Sequence, residues 1–261
     1  MDQPQSIRLN KFLAERLGLS RREADEAIAA GKVTIDGKVA TLGARVSTSE
    51  NIDKSTKVCY NGKIVPFHTD FLYLAFNKPV GYVCSRRSQG PAPTLYDLLP
   101  AKYRQLKTVG RLDKDSSGLI LLTNDGDFAY QMTHPKFHKE KIYEVELDRP
   151  LEPLHQQIIS DYGVMLDDGP SKFAVITQTG DATGGTPAAR SRQARTVGES
   201  VAAGPVDRTR FTVILSEGRN RQIRRTFAAL GYRVVALHRT QFGPYQLSGL
   251  ASGKHTIIDK A

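Results

Sequence analysis

The chain has 261 residues, 39% of them hydrophobic and 8% aromatic, and a formal charge of +10 from 37 Lys and Arg against 27 Asp and Glu. That length suits one large core or a large and a small domain, and the composition excludes a disordered or fibrous chain. A pI near 9.6 points to an acidic partner, nucleic acid first, although a solvated basic surface fits the charge equally well.

From the N-terminus, Leu9, Phe12, Leu13 and Leu17 recur at helical spacing. Ser20-Arg21-Arg22-Glu23 then reads as a capping box, in which the Ser hydroxyl and the Glu carboxylate each satisfy an orphan backbone N–H. Ala24, Ala27 and Ile28 give this second helix a small apolar face, and Gly31 stops it. Asp36-Gly37 and Asn61-Gly62 are favoured hairpin turns between short apolar strands. Pro66 to Asp70 reads as a linker, and Leu72 to Phe76 opens a second domain as a strand. Lys141 to Leu147 alternates so that Tyr143, Val145 and Leu147 share one face. Residues 178–206 hold scarcely any large apolar side chain, so nothing there offsets the entropy of ordering. This stretch is expected to be a mobile insertion between a strand at Phe173–Thr177 and its neighbour at Phe211–Leu215. Last comes a helix striped by Ile223, Phe227 and Leu230, with Gly231 as its stop.

Cys59 and Cys84 share no CxxC spacing with each other or with a His, so neither zinc nor a disulfide framework is expected, and both read as small core residues. No run approaches the roughly 18 apolar residues of a membrane helix. Met1 to Gln5 carry no apolar signal segment, and the expectation is a cytoplasmic protein.

The most informative run is Gly110-Arg111-Leu112-Asp113-Lys114-Asp115-Ser116-Ser117-Gly118-Leu119, which closes on apolar Ile120-Leu121-Leu122. It sets a carboxylate beside a guanidinium at the mouth of a buried strand. A neighbouring cation favours the ionised form of a carboxylate, and such a group can serve as nucleophile or base without a cofactor. Val109 and Leu112 anchor the loop, while Gly110 and Gly118 permit a tight backbone path. The rhythm Asp113-Lys114-Asp115 also opens a calcium loop, but the twelfth position is Asn124 rather than Glu, and Leu119 to Leu122 is an apolar strand. A metal-dependent nuclease built on Asp113, Asp115, Asp125 and Asp127 lacks His or Glu ligands. There is no Walker loop, GxGxxG or HExxH.

The run resembles the catalytic motif of the RNA pseudouridine synthases, and its GRLDKDSSGL form is similar to the RsuA/RluB branch that modifies ribosomal RNA. Three further stretches resemble that family in its own order: Asn77 to Tyr82 with Ser85, Glu140 to Val145, and Glu217 to Arg225. Residues 8–65 resemble the S4 RNA-binding domain, with wording close to it in SRREADEAIAAGKVTIDGKVATLGARV. The resemblance implies an α+β protein. Residues 1–67 would form a small S4-like α/β domain, and residues 68–261 a catalytic domain with a mainly antiparallel mixed sheet and flanking helices.

It implies a monomeric isomerase of a uridine in ribosomal RNA, or in an assembly intermediate of the ribosome, working without cofactor or metal. The S4 wording leans slightly to large-subunit RNA. The alternative is a non-catalytic RNA-binding assembly factor of the same fold. Asp113 would be the catalytic residue and Arg224 its ion-pair partner. Tyr143 would stack on the target nucleotide, Leu237 would line the uracil pocket, and Arg111 would fill the space left by the extruded base. Arg21, Arg22, Lys32 and Lys38 on the S4 module, with Arg219, Arg221 and Arg225, are expected to contact RNA. Asp115 is expected to be a turn residue, and His134, before Pro135, a helix-end residue rather than a base.

Overall fold

The computed structural model describes residues 6–47, 56–67, 70–86, 90–177 and 209–261. The expected insertion at 178–206 lies outside the described residues.

The N-terminal part begins with β1 (Ser6–Arg8), α1 (Leu9–Leu17) and α2 (Arg21–Ala29). Next come β2 (Val33–Ile35), β3 (Lys38–Val39), β4 (Arg45–Ser47), β5 (Val58–Tyr60) and β6 (Lys63–Ile64). The capping box forms at Ser20 and Glu23, and both hairpin turns take the left-handed pairs their residues favour, Asp36-Gly37 and Asn61-Gly62. The helices enclose a core of their own, in which Leu9, Phe12, Leu13, Ala24, Ile28, Val33, Val58 and Val65 are buried. This module leans on the rest of the chain through polar contacts. Lys11 pairs with Asp127 at 2.6 Å, Lys107 donates to the Leu19 carbonyl at 2.6 Å, and Arg86 donates to the Gly18 carbonyl at 3.0 Å.

The larger part is organised by strands β7 (Tyr73–Lys78), β8 (Lys107–Val109), β9 (Ser117–Thr123), β10 (Lys141–Leu147), β11 (Val164–Leu166), β12 (Gly169–Ser171), β13 (Ala174–Thr177), β14 (Arg210–Leu215), β15 (Val234–Phe242), β16 (Tyr245–Gln246) and β17 (His255–Ile257). Helices α3 (Gly126–Thr133), α4 (Pro153–Gln157) and α5 (Gln222–Ala229) flank them. Nine strands form one sheet in the order β13-β14-β10-β15-β9-β7-β17, with β8 on β9 and β16 on β15. All pairings are antiparallel except β15 with β9. The strands that flank the expected insertion, β13 and β14, are neighbours, with Val175 opposite Val213.

Strands β7 and β9 read as unbroken apolar runs because both faces of the sheet are covered there. Leu74, Phe76, Ile120 and Leu122 face one core, while Tyr73, Ala75, Leu119 and Leu121 face another. The side chains alternate faces with the pleat, as a period of two demands. Among the described residues no helix is long and apolar enough to cross a membrane.

The parallel contact is unusually close. Gly118 on β9 lies opposite Arg239 on β15 with φ at +104°, and a Cβ built there would collide with the Arg239 backbone nitrogen and carbonyl. Any side chain at 118 must push apart the two strands that carry the candidate site. Gly118→Ala is expected to lower stability by about 3 kcal/mol, read as a fall in the unfolding midpoint. Gly62→Ala has a similar positive φ but nothing within 4 Å, and should cost only about 1 kcal/mol. Equal losses at the two positions would show that the close approach is not limiting.

Candidate active site

The loop from Leu112 to Ser116 joins β8 to β9 and is pinned from several sides. The Ser116 N–H donates to the Asp113 carbonyl at 3.1 Å, and the Gly81 N–H donates to that of Lys114 at 2.7 Å. Cys84 Sγ lies 3.2 Å from the Leu112 carbonyl and accepts the Leu112 N–H at 3.4 Å. Lys78 is fully buried, and its ammonium donates to the carbonyls of Ser116 at 2.6 Å and Pro79 at 3.0 Å. Burial pushes the Lys78 pKa down, opposed by the charges of Cys84, Asp113 and Asp115. Both Cys residues are half-buried, and Cys84 is more than a space filler because it holds both polar groups of Leu112.

Held this way, the Asp113 side chain stands about one quarter exposed in a cleft of about 390 Å³. Arg111, Tyr143, Leu237, Arg219, Arg221, Lys141 and Arg239 contribute to the same walls. Tyr143 on β10 and Leu237 on β15 are both buried, whereas Arg111 is exposed. The structure therefore brings Asp113, Tyr143, Leu237 and Arg111 together from three separate segments.

The arginines are arranged differently from the expectation. Arg224 does not form its ion pair with Asp113. Its Nη2 donates to the Asp115 carbonyl at 2.8 Å and its Nη1 to the Val234 carbonyl at 2.8 Å, while its Nε lies 3.3 Å from Asp115 Oδ2 without hydrogen-bond geometry. Among the described residues, the cation nearest Asp113 is Arg221, at 3.7 Å. Arg221 also grips both oxygens of Asp115, at 3.0 and 2.8 Å. Asp115 is thus the hub of a two-arginine clamp as well as part of a turn. Its pKa is held below the ordinary carboxylate value by the Arg221 hydrogen bond, against some desolvation and with help from Arg224. Arg221 is correspondingly raised by Asp115, whereas burial outweighs Asp115 at Arg224 and lowers it. The clamp's stabilisation therefore rests chiefly on the forked Arg221 contact. Arg221 adopts a left-handed backbone, φ +47°, at the start of α5, a strained conformation for a residue with a Cβ and one that clusters at functional sites.

Arg219 and Arg225, like Arg221, are already paired within the chain. Arg219 pairs with Asp168 at 3.0 Å and Glu217 at 3.3 Å, and Arg225 pairs with Asp168 at 2.7 Å. Their charges are met by carboxylates of the chain itself, so an incoming phosphate would have to share or displace those partners. On the N-terminal module Arg21, Arg22, Lys32 and Lys38 are all exposed. His134 closes α3 and accepts the Lys136 N–H on Nδ1, a helix-end role.

Two cleft cations escaped the sequence reading, and the signal that finds them is the pleat. Lys141 lies two residues before Tyr143, and Arg239 two after Leu237, so each shares a strand face with a residue already assigned to the cleft. Lys141 Nζ reaches the carbonyls of Lys139, Ser216 and Glu217 at 3.2 to 3.4 Å. Its pKa is pushed down to about 8, first by burial and then by the Arg239 charge.

The family model for RNA pseudouridylate synthase matches residues 72–229, and that for the S4 domain matches residues 7–52. A ribosomal small subunit pseudouridine synthase A from Pasteurella multocida is 35% identical, over 97% of this chain and 96% of the relative. A ribosomal large subunit pseudouridine synthase B from Escherichia coli K12 is 34% identical, over 98% of this chain and 80% of the relative. A crystal structure of a pseudouridylate synthase superposes with a TM-score of 0.60 at 29% identity, covering 97% of this chain and 96% of the other. The chain belongs to the RNA pseudouridylate synthase family, whose members are RNA uridine isomerases, and it carries an S4 domain at its N-terminus.

Lys141 couples the cleft to pH. An unfolded Lys keeps its proton toward 10.5, so between about 8 and that value the unfolded chain binds more protons. The Lys141 contribution to stability therefore rises with pH across that window, while the free cleft loses one positive charge. Nitrogen-detected NMR of the lysine ammonium groups should show a titration near pH 8 that disappears in Lys141→Arg. A Lys141 signal that stays protonated past pH 10 would refute the burial argument.

Proposed function

We propose that the chain converts a specific uridine of ribosomal RNA to pseudouridine, with Asp113 as the catalytic residue. The observation that carries this reading is the part-exposed Asp113 carboxylate, held by a pinned loop in a cleft that several cations, the buried Tyr143 and apolar Leu237 also line. An N-glycosidic bond inside a stacked helix is out of reach of any enzyme, so the target nucleotide must be extruded into such a cleft. Tyr143 stacks on the extruded nucleotide, Leu237 lines the uracil pocket, and Arg111 at the exposed wall takes the space left in the helix. Asp113 then attacks the sugar or the base, or withdraws a sugar proton. The bond from N1 to the ribose breaks, the uracil turns, and C5 bonds to the same ribose carbon. Arg221 and Arg224 act through Asp115 to hold the loop, and Arg221 supplies the nearest positive charge to Asp113.

In this reading residues 1–67 anchor the RNA and residues 68–261 do the chemistry, in a cytoplasmic monomer that needs no cofactor. Relatives named for small- and large-subunit RNA resemble the chain about equally, so the proposal stops at ribosomal RNA. A non-catalytic assembly factor of the same fold has no use for a carboxylate aimed into an RNA-binding cleft, since an unneeded negative charge there weakens phosphate attraction.

Pseudouridine mapping in both ribosomal RNAs, in cells lacking the gene and in cells complemented with wild type or Asp113→Asn, tests the reading. The deletion should lose at least one pseudouridine that wild type restores and Asp113→Asn does not. A deletion strain with an unchanged map sinks the function, and full restoration by Asp113→Asn sinks the catalytic assignment. Replacing Arg21 and Arg22 together by Ala should weaken RNA binding and flatten its dependence on log salt by about 0.7 for each phosphate left unneutralised. An unaltered slope would remove these two residues from the RNA-binding face.

A further inference from the structure

Arg239 is an anomaly of the cleft wall. It is only 2% exposed, and no carboxylate of the described residues makes an ion pair with it. Its Nε donates to the Leu119 carbonyl at 2.7 Å, and its Nη1 reaches the Tyr143 hydroxyl at 3.5 Å, too long to count for much. Its Nη2 is buried with no hydrogen-bond partner at all. The guanidinium instead sits 4.9 Å from the Phe242 ring and 5.9 Å from that of Tyr143. Two more cations feel its charge, Lys78 and Lys141, and each is weakened by it.

A buried cation without a counter-ion and with an idle donor is costly. The backbone shows that its position is specified. Arg239 lies directly opposite Tyr143, and the register between β10 and β15 slips immediately afterwards, where Ile142 pairs with Gln241 and Thr240 is bulged out. Bulges beside active sites commonly re-aim a side chain. This one turns the strand so that Arg239 and Phe242, three residues apart, both line the cleft.

The proposed reaction creates an anion at that place. When the bond between N1 and C1′ breaks, its electron pair stays with the uracil, which becomes an anion with charge spread over N1 and the two carbonyl oxygens. We propose that Arg239 is a further catalytic residue, whose idle Nη2 donates to the detached uracil and stabilises it as an anion, with Lys141 as a second cation at the cleft edge. The electron balance is the same for both routes through the sugar. Asp113 either bonds to C1′ or takes the C2′ proton as N1 departs. The new bond from C5 to C1′ then expels the carboxylate, or forms as that proton returns to C2′ and makes C1′ electrophilic. C5 gives up its proton to water, N1 takes one up, and the net change is an isomerisation. A fixed cation in a dry wall stabilises such developing charge more than water does, because it needs no reorganisation. A backbone phosphate is the weaker candidate, since the guanidinium stands beside Tyr143, in the part of the cleft assigned to the base.

This inference rests on the function proposed above, and its test separates the two. Single-turnover rates of glycosidic cleavage are measured with wild type, Arg239→Gln and Arg239→Lys. The substrates are a ribosomal RNA transcript bearing the mapped uridine and the same transcript made with 5-fluorouridine. Fluorine at C5 makes the base a better leaving anion, which needs less help. Arg239→Gln should slow the uridine transcript about 100-fold and the fluorinated one less than about tenfold, with RNA affinity unchanged within about threefold. Arg239→Lys should recover part of the loss. Equal slowing on both transcripts, or none on either, overturns the role of Arg239 while leaving Asp113 in place. A wild-type protein that cleaves neither transcript overturns the functional reading and this inference with it. Should Arg239→Gln fail to fold, Lys141→Met must show the same bias toward the uridine transcript in weaker form, and a uniform loss there counts against the proposal.

Discussion

The structure depends on the immobility of five residues, Leu112 to Ser116. A carboxylate can direct chemistry only if its oxygens are already where the reacting atom will be, and a loop between two strands has no intrinsic reason to stay still. Here all five carbonyls of the loop accept a hydrogen bond. Cys84 holds Leu112, the Gly81 N–H holds the Lys114 carbonyl, Arg224 holds that of Asp115, and the buried Lys78 ammonium holds that of Ser116. Lys78 shows how far this goes. A primary ammonium is desolvated completely to make two hydrogen bonds to carbonyls, a choice that has no rationale in stability alone.

Charge is partitioned by the same logic. Arg219, Arg221, Arg224 and Arg225 all sit on or beside α5, and each meets a carboxylate: Asp168 for the first and last, Asp115 for the middle two. These pairs tie α5 to the β11–β12 turn and to the Asp113 loop. Among the described residues, the cations without a carboxylate ion pair include exposed ones such as Arg111, Arg21 and Arg22, and the buried or part-buried Lys78, Lys141 and Arg239, whose hydrogen bonds go mainly to carbonyls. Among the described residues, positive charge thus stands both on the outer surface and at the inner wall of the cleft.

Much of this was legible in the residues because it is local. A capping box, an Asn-Gly turn and a strict alternation from Tyr143 to Leu147 each act over a few positions, and each stands in the structure as read. The pairing of β13 with β14 was also legible, since a stretch poor in apolar residues reads as an interruption of one hairpin. Which arginine meets which carboxylate was not. Arg221 and Arg224 are separated from Asp115 by more than a hundred positions, and the left-handed backbone at Arg221 is one that no helical pattern foretells. Asp115 read as a turn residue because that is its local role, and its second role exists only once α5 arrives.

By itself, then, the sequence determined the elements, the two-part organisation and the identity of the motif around Asp113, since these follow from periodicity, turn chemistry and the order of nearby residues. Tertiary structure alone decided the partners. A parallel contact that only Gly118 permits, and a one-residue slip between β10 and β15, set Arg239 against Tyr143 and leave one of its nitrogens unmet. Burial and partnership are properties of what the rest of the chain brings near, and that is settled only when distant strands close on one another.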